Sequence, residues 1–147
     1  MVKIIINSCY GGFRLSPKGF KKYLEKKGKN AYFYTGESPG YFDKLKRAAL
    51  DELKNQSFSF YHVITKDFGH YISREEFNEK VSEEDFLSSR EIERDDPDLI
   101  EVVKELGDEA NSVHSKLKIV EIPDDVEWTI EEYDGVEWVA EKHKTWR

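Results

Sequence analysis

The run VKIIIN, Val2 to Asn7, is followed within ten residues by Gly11-Gly12 and then by Ser16-Pro17. No other feature constrains the fold as much. A short apolar run rich in β-branched residues, bounded by turn formers, is a buried strand. The glycines end it, because glycine alone takes up positive φ without steric cost. Ser16 suits an N-cap and Pro17 the first helical position. Phe20, Tyr23 and Leu24 then fall at i, i+3 and i+4 on one apolar face, and Gly28 stops the helix. Ala31 to Thr35 (AYFYT) is a second strand. A strand–loop–helix–strand unit therefore opens the chain.

The rest of the chain follows the same logic. Gly36 to Gly40 (GESPG) is a loop by composition. Phe42, Leu45, Ala49 and Leu53 predict a second amphipathic helix carrying Lys44, Lys46 and Arg47. Phe58 to Thr65 is a strand, and Lys66 to Ser89 gives a signal split between helix and exposed loop. Asp96 caps a helix that Pro97 opens, with Leu99, Ile100, Val103 and Leu106 as its buried face and Gly107 as its stop. Lys116 to Ile122 (KLKIVEI) alternates like a half-buried strand. Pro123-Asp124-Asp125 turns the chain. Trp128 to Tyr133 and Val136 to Ala140, joined by Asp134-Gly135, form a β-hairpin, since Asp-Gly accepts the positive φ of a two-residue turn. Residues 1–147 make one domain of the α+β (or α/β) class. Its expected mixed β-sheet has about five or six strands, with two or three amphipathic helices.

Composition narrows the chemistry. No stretch approaches the roughly 18 to 20 apolar residues of a membrane span. MVKIII is too short for a signal-peptide core. One cysteine leaves no internal disulfide and no cysteine-based zinc site, and an intracellular, reducing setting follows as the expectation. Net charge is −7 and unevenly spread: residues 1–60 hold 12 Lys and Arg against 5 Asp and Glu, while 61–147 hold 11 against 25. A uniformly acidic surface repels nucleic acid. This split instead leaves a basic region around the N-terminal loop that can hold a small anion, or simply a lysine-rich solvated helix face.

Three readings of the loop Cys9-Tyr10-Gly11-Gly12-Phe13-Arg14 stand side by side. Between a strand and a helix N-terminus, unpaired backbone N–H groups favour an anion, and glycines let a phosphate approach. Arg14 adds a bidentate guanidinium. The loop matches neither GxGxxG nor GxxxxGK[ST]. Alternatively Cys9 is a nucleophile, which needs a base, and His62, His70, His114 and His143 have no diagnostic spacing to it. The third reading is an ordinary tight turn. No metal-ligand spacing appears. Arg94, ahead of Asp95-Asp96-Pro97, either grips a phosphate or pairs with its neighbouring aspartates. An acid in Glu131 to Gly135 can meet ribose hydroxyls. Tyr10, Phe13 and Trp146 offer faces on which a base can stack, worth about 1–3 kcal/mol per base in single-strand binders.

Three strings, INSCYGGFRLS near the start, RDDPDLIEVVKELGDEAN in the second half and LKIVEIPDDVEWTIEEYDGVEWVAEKHKTW at the end, resemble small phage and prophage proteins. The resemblance covers about half of the chain and leaves Gly36 to Ser89 unmatched. The family is similar in size and layout to the first Thoeris anti-defence family, sponges that bind cyclic ADP-ribose isomers uncleaved. The resemblance implies a non-enzymatic phage anti-defence protein of the host cytoplasm. It implies arginines on a pyrophosphate, aromatics on adenine, no cofactor, no catalytic residue and no metal. Its partner is a cyclic nucleotide, with cyclic oligonucleotides as further ligands. It implies further that no membrane or nucleic-acid polymer is involved and that the protein is a homo-oligomer, a dimer or hexamer. The ligand-binding set expected on local chemistry is Cys9, Tyr10, Gly11, Gly12, Phe13, Arg14, Arg94, Asn111 and Trp146. The alternatives are a cysteine-dependent hydrolase or transferase acting on a nucleotide, and an acidic inhibitor of a host protein.

Overall fold

The computed structural model describes residues 1–36, 44–50, 53, 61–112 and 114–142. Among these lie nine strands and three helices, an α+β architecture. In chain order they are β1 (Val2–Asn7), α1 (Pro17–Lys26), β2 (Tyr32–Gly36), β3 (Lys44–Ala48), β4 (Tyr61–Ile64), β5 (Tyr71–Ser73), α2 (Arg74–Lys80), β6 (Phe86–Leu87), α3 (Pro97–Leu106), β7 (Leu117–Ile122), β8 (Trp128–Tyr133) and β9 (Val136–Glu141). The strands are divided among three sheets, β1-β7, β5-β3-β2-β4-β6 and β8-β9. Every ladder among the described residues is antiparallel. The backbone falls into two compact units, one of Met1–Gly19 with Ile92–Arg147, the other of Phe20–Glu91.

In the first unit, β1 pairs with β7 from Val2↔Ile122 to Asn7↔Leu117. Ile4 and Ile5 are fully buried and Ile6 nearly so. Each such side chain contributes about 1.5–3 kcal/mol relative to leaving it in water. Helix α3 packs against both strands. Asp96 accepts a hydrogen bond from the Asp98 amide and Pro97 opens the first turn, as the sequence indicates. Its buried residues are Leu99, Val102 and Val103, whereas Ile100 and Leu106 are half-exposed. The expected face is thus rotated toward Val102. Strand β9 runs beside β1 and carries the hairpin into the same unit. The hairpin turn has Asp134 at φ 51° and Gly135 at φ 89°, the two positive φ values of a type I′ turn.

The second unit is the five-stranded sheet with a helix on each face. Phe20 of α1 meets Tyr61 edge to face at 6.5 Å, and Tyr61 meets Phe33 at 5.8 Å. On the other face Phe77 of α2 packs against Tyr34, His62 and Phe86. The core there is Tyr34, Leu45, Ile64, Ile72 and Phe77. One expectation is overturned over its first half, while Leu50 and Leu53 at its end are helical. Lys44 to Ala48 is strand β3, paired with β2 and β5, and not part of an amphipathic helix. Leu45 and Arg47 share the face of Tyr34, and Leu45 lies fully buried in that core. Pairing on both sides outweighs a helical spacing carried by few residues. Phe42 lies outside the described residues, as do 37–40 of the expected loop and 58–60 of the expected strand. The mixed-signal stretch from Lys66 resolves into β5, α2, two short 3₁₀ turns and β6.

Candidate functional site

The loop after β1 is organised by Asn7, which is fully buried. An asparagine amide has two donors and a carbonyl oxygen with two lone pairs, and here all are used. Nδ2 donates to the Cys9 carbonyl at 2.7 Å and to the Gly135 carbonyl at 2.8 Å. Oδ1 accepts from the Lys116 amide at 2.8 Å and faces the Cys9 thiol at 3.6 Å. The Asn7 backbone amide donates to Glu137 Oε1 at 2.8 Å. One side chain therefore ties β1, its following loop, the start of β7 and the hairpin turn together.

The glycines follow from the same closeness. Gly11 has φ 128° and Gly12 φ 110°. A Cβ on Gly11 would collide with the His114 carbonyl oxygen, and one on Gly135 would lie 2.6 Å from the amide nitrogens of both Gly11 and Gly12. The hairpin turn packs directly on the glycine backbone. The turn reading accounts for Gly11 and Gly135 without a ligand.

Arg94 is the second organising residue. Its Nη1 donates to Glu137 Oε1 at 2.6 Å and its Nη2 to Oε2 at 2.8 Å. The guanidinium lies 3.7 Å from the centroid of the Phe13 ring, a cation–π contact. Nη1 also approaches the Ile5 carbonyl at 3.3 Å, and the Arg94 carbonyl accepts from the Ile5 amide at 2.9 Å. The ion-pair partner is thus Glu137, 43 residues away, and neither Asp95 nor Asp96 supplies it. The side chains of Arg94 and Glu137 are only 20% and 9% exposed.

Of the expected ligand set, Cys9, Gly11, Gly12, Phe13 and Arg94 converge on this knot. Cys9 Sγ has the Asn7 amide oxygen and the His114 carbonyl oxygen as hydrogen-bond acceptors, at 3.6 and 3.5 Å. Neither oxygen is a base able to take the thiol proton. Tyr10 stands 69% exposed and Arg14 is exposed, with its carbonyl taken by the Ser115 hydroxyl at 2.7 Å. Asn111 bridges to Leu15, and its Oδ1 accepts the Leu117 amide at 2.8 Å. Trp146 lies outside the described residues, as does His143. Asn7, Ser115, Gly135 and Glu137 are the residues that sequence reasoning missed. A buried asparagine closing an apolar strand carries a readable signal. Glu137 carries none, being one acid among many. Among the described residues no three or more His, Cys, Asp or Glu side chains converge as metal ligands. No described helix is long and apolar enough to cross a membrane.

The second unit holds two polar clusters. Buried Tyr34 accepts the Phe68 amide at 2.8 Å and donates to the Gly69 carbonyl at 2.9 Å. Asp67 accepts Arg47 Nη1 at 2.6 Å and the Gly69 amide at 2.8 Å. The Gly69 amide, with Arg47 in support, holds the Asp67 carboxyl below the usual range. These bonds pin the turn between β4 and β5. His62 Nε2 lies 3.4 Å from Arg74 Nη1, with Phe77 and Phe86 against its ring. Burial, and then the Arg74 charge, push the His62 pKa down.

No family model, curated protein or solved structure matches the chain.

Proposed function

We propose that this chain binds a cyclic nucleotide signal and holds it uncleaved, a phage anti-defence role carried out in the host cytoplasm as a homo-oligomer. The ligand class is a cyclic ADP-ribose isomer, with cyclic oligonucleotides as further candidates. The observation that carries the reading is the loop from Tyr10 to Arg14. It presents an exposed tyrosine ring and an exposed arginine on either side of two glycines and Phe13. An aromatic face for a base and a guanidinium for a phosphate are the two contacts such a ligand needs. The knot beneath holds that loop in one conformation, which spares the ordering cost of binding. Arg94, clasped by Glu137 and stacked on Phe13, supports the loop from below, so the contacts to the ligand fall to Tyr10 and Arg14. The Cys9 surroundings favour binding over thiol chemistry, since the thiol faces two oxygens that cannot deprotonate it.

The test is a release assay. Purified protein is incubated with cyclic ADP-ribose isomers and cyclic di- and trinucleotides and freed of unbound ligand. It is then denatured, and the released material is analysed by mass spectrometry. Intact nucleotide in proportion to protein, lost in Tyr10→Ala and Arg14→Ala variants that keep the fold, supports the proposal. Recovery of cleaved nucleotide, or no retention of any member of the panel, overturns it.

A further inference from the structure

The side of the hairpin turned away from the knot has its own chemistry. Side chains alternate along β8 and β9. Glu137 faces Asn7 and Arg94. The other side therefore carries Thr129, Glu131 and Tyr133 from β8, with Val136, Trp138 and Ala140 from β9. Tyr133 is 73% exposed and Trp138 44% exposed. The register pairs Tyr133 with Val136 and Glu131 with Trp138. Tyr133 and Trp138 are thus diagonal neighbours, and exposed Glu131 sits directly across from the tryptophan.

The charges carried by the hairpin itself have one sign. From Trp128 to Glu141 the chain has Glu131, Glu132, Asp134, Glu137 and Glu141 and no lysine or arginine. Arg94 neutralises Glu137, and the other four are exposed. Large rings fixed among carboxylates attract a cation twice over, through the ring face and through the ion pair. Tyrosine and tryptophan are also the side chains on which binding energy concentrates at protein interfaces. A second copy of the same face would set acid against acid, and a nucleic acid would be repelled.

We propose that the outer face of the β8–β9 hairpin is a docking surface for a lysine- or arginine-rich segment of another protein. Tyr133 and Trp138 are its stacking anchors, and Glu131 with Asp134 at the turn its ion-pairing rim. The inference is independent of nucleotide binding. It places a second partner on a surface other than the ligand set from Cys9 to Arg14.

The test measures the fluorescence anisotropy of a labelled deca-lysine peptide titrated with the full chain at low and high salt. Saturable binding that weakens with salt is expected, with an affinity reduced by about tenfold or more in a Tyr133→Ser/Trp138→Ser variant. Both positions are exposed and neither substitution changes the charge, so the fold survives, as circular dichroism and the melting temperature will verify. Equal binding by the variant would mean general attraction to an acidic chain and would overturn the proposal. So would preferential binding of a labelled oligothymidylate, or self-association, by sedimentation, that the same two substitutions abolish.

Discussion

Arg94 clasps Glu137 through two parallel hydrogen bonds of 2.6 and 2.8 Å while its guanidinium lies 3.7 Å over the ring of Phe13. The Asn7 amide shares the same carboxylate oxygen. Removing one member of a largely buried pair leaves the other charge unpaired. Arg94→Ala is expected to destabilise the protein by roughly 3 kcal/mol. Arg94→Met combined with Glu137→Leu should recover a large part of that loss, because no orphan charge remains. Urea denaturation of the two variants checks this; equal destabilisation by both would show that the pair itself carries the stability.

The Asn7 side chain has backbone partners in three separate segments. Asn7→Ala strips hydrogen bonds from the Lys116 amide and from the Cys9 and Gly135 carbonyls at once. Each buried group left unsatisfied costs about 1–3 kcal/mol. The variant should lose several kcal/mol, and the Gly135 and Val136 amides should exchange with deuterium faster than those of β1. Unchanged exchange at the hairpin would separate Asn7 from hairpin docking.

Two glycines with positive φ separate strain from collision. Gly28 has φ 76° with open space around a Cβ position, whereas Gly11 has φ 128° and a Cβ there would strike the His114 carbonyl. Gly28→Ala should cost only the left-handed backbone penalty, about 1–2 kcal/mol. Gly11→Ala should cost clearly more, because the contact with backbone cannot be relieved by a rotamer. Melting temperatures of the two variants give the comparison, and similar values would refute the close approach.

His62 sets a pH dependence whose sign is determined. Its folded pKa lies below the unfolded value of 6.5, first through burial and then through Arg74. The unfolded chain therefore binds the proton more readily. Stability from this group is complete above 6.5, falls as pH drops below that value, and levels off once pH is below the folded pKa. His62→Gln keeps an acceptor for Arg74 and removes the titration. The urea midpoint of the wild type should decline relative to the variant between neutral pH and about pH 5. Parallel curves would place His62 in a solvated setting.

Tyr34→Phe removes the hydroxyl that serves both the Phe68 amide and the Gly69 carbonyl. A loss of about 1–3 kcal/mol is expected, together with faster amide exchange in the turn from Lys66 to His70. Retained protection there would assign the turn to Asp67 and Arg47 alone.

The sequence alone determined the elements whose signals are local. β1 spans Val2–Asn7, α1 begins at Pro17 behind Ser16, α3 begins at Pro97 behind Asp96, and the hairpin turns at Asp134-Gly135, all as the residues indicate. Caps, prolines and tight turns act within a few residues, so their physics is written in neighbouring positions. The loop at Gly11-Gly12 was equally visible, and three readings of it fitted the same residues. Only the tertiary structure decided what those residues touch. It brought Gly135 onto Gly11, set Glu137 on Arg94 and laid Arg94 over Phe13. It also drew Leu45 and Arg47 into a strand between two others, against a helical spacing. These contacts span from about forty to more than a hundred residues of chain or depend on neighbouring strands. One acid or one glycine among many carries no local mark of such a partner, so the choice is made where burial, charge and close packing are satisfied together.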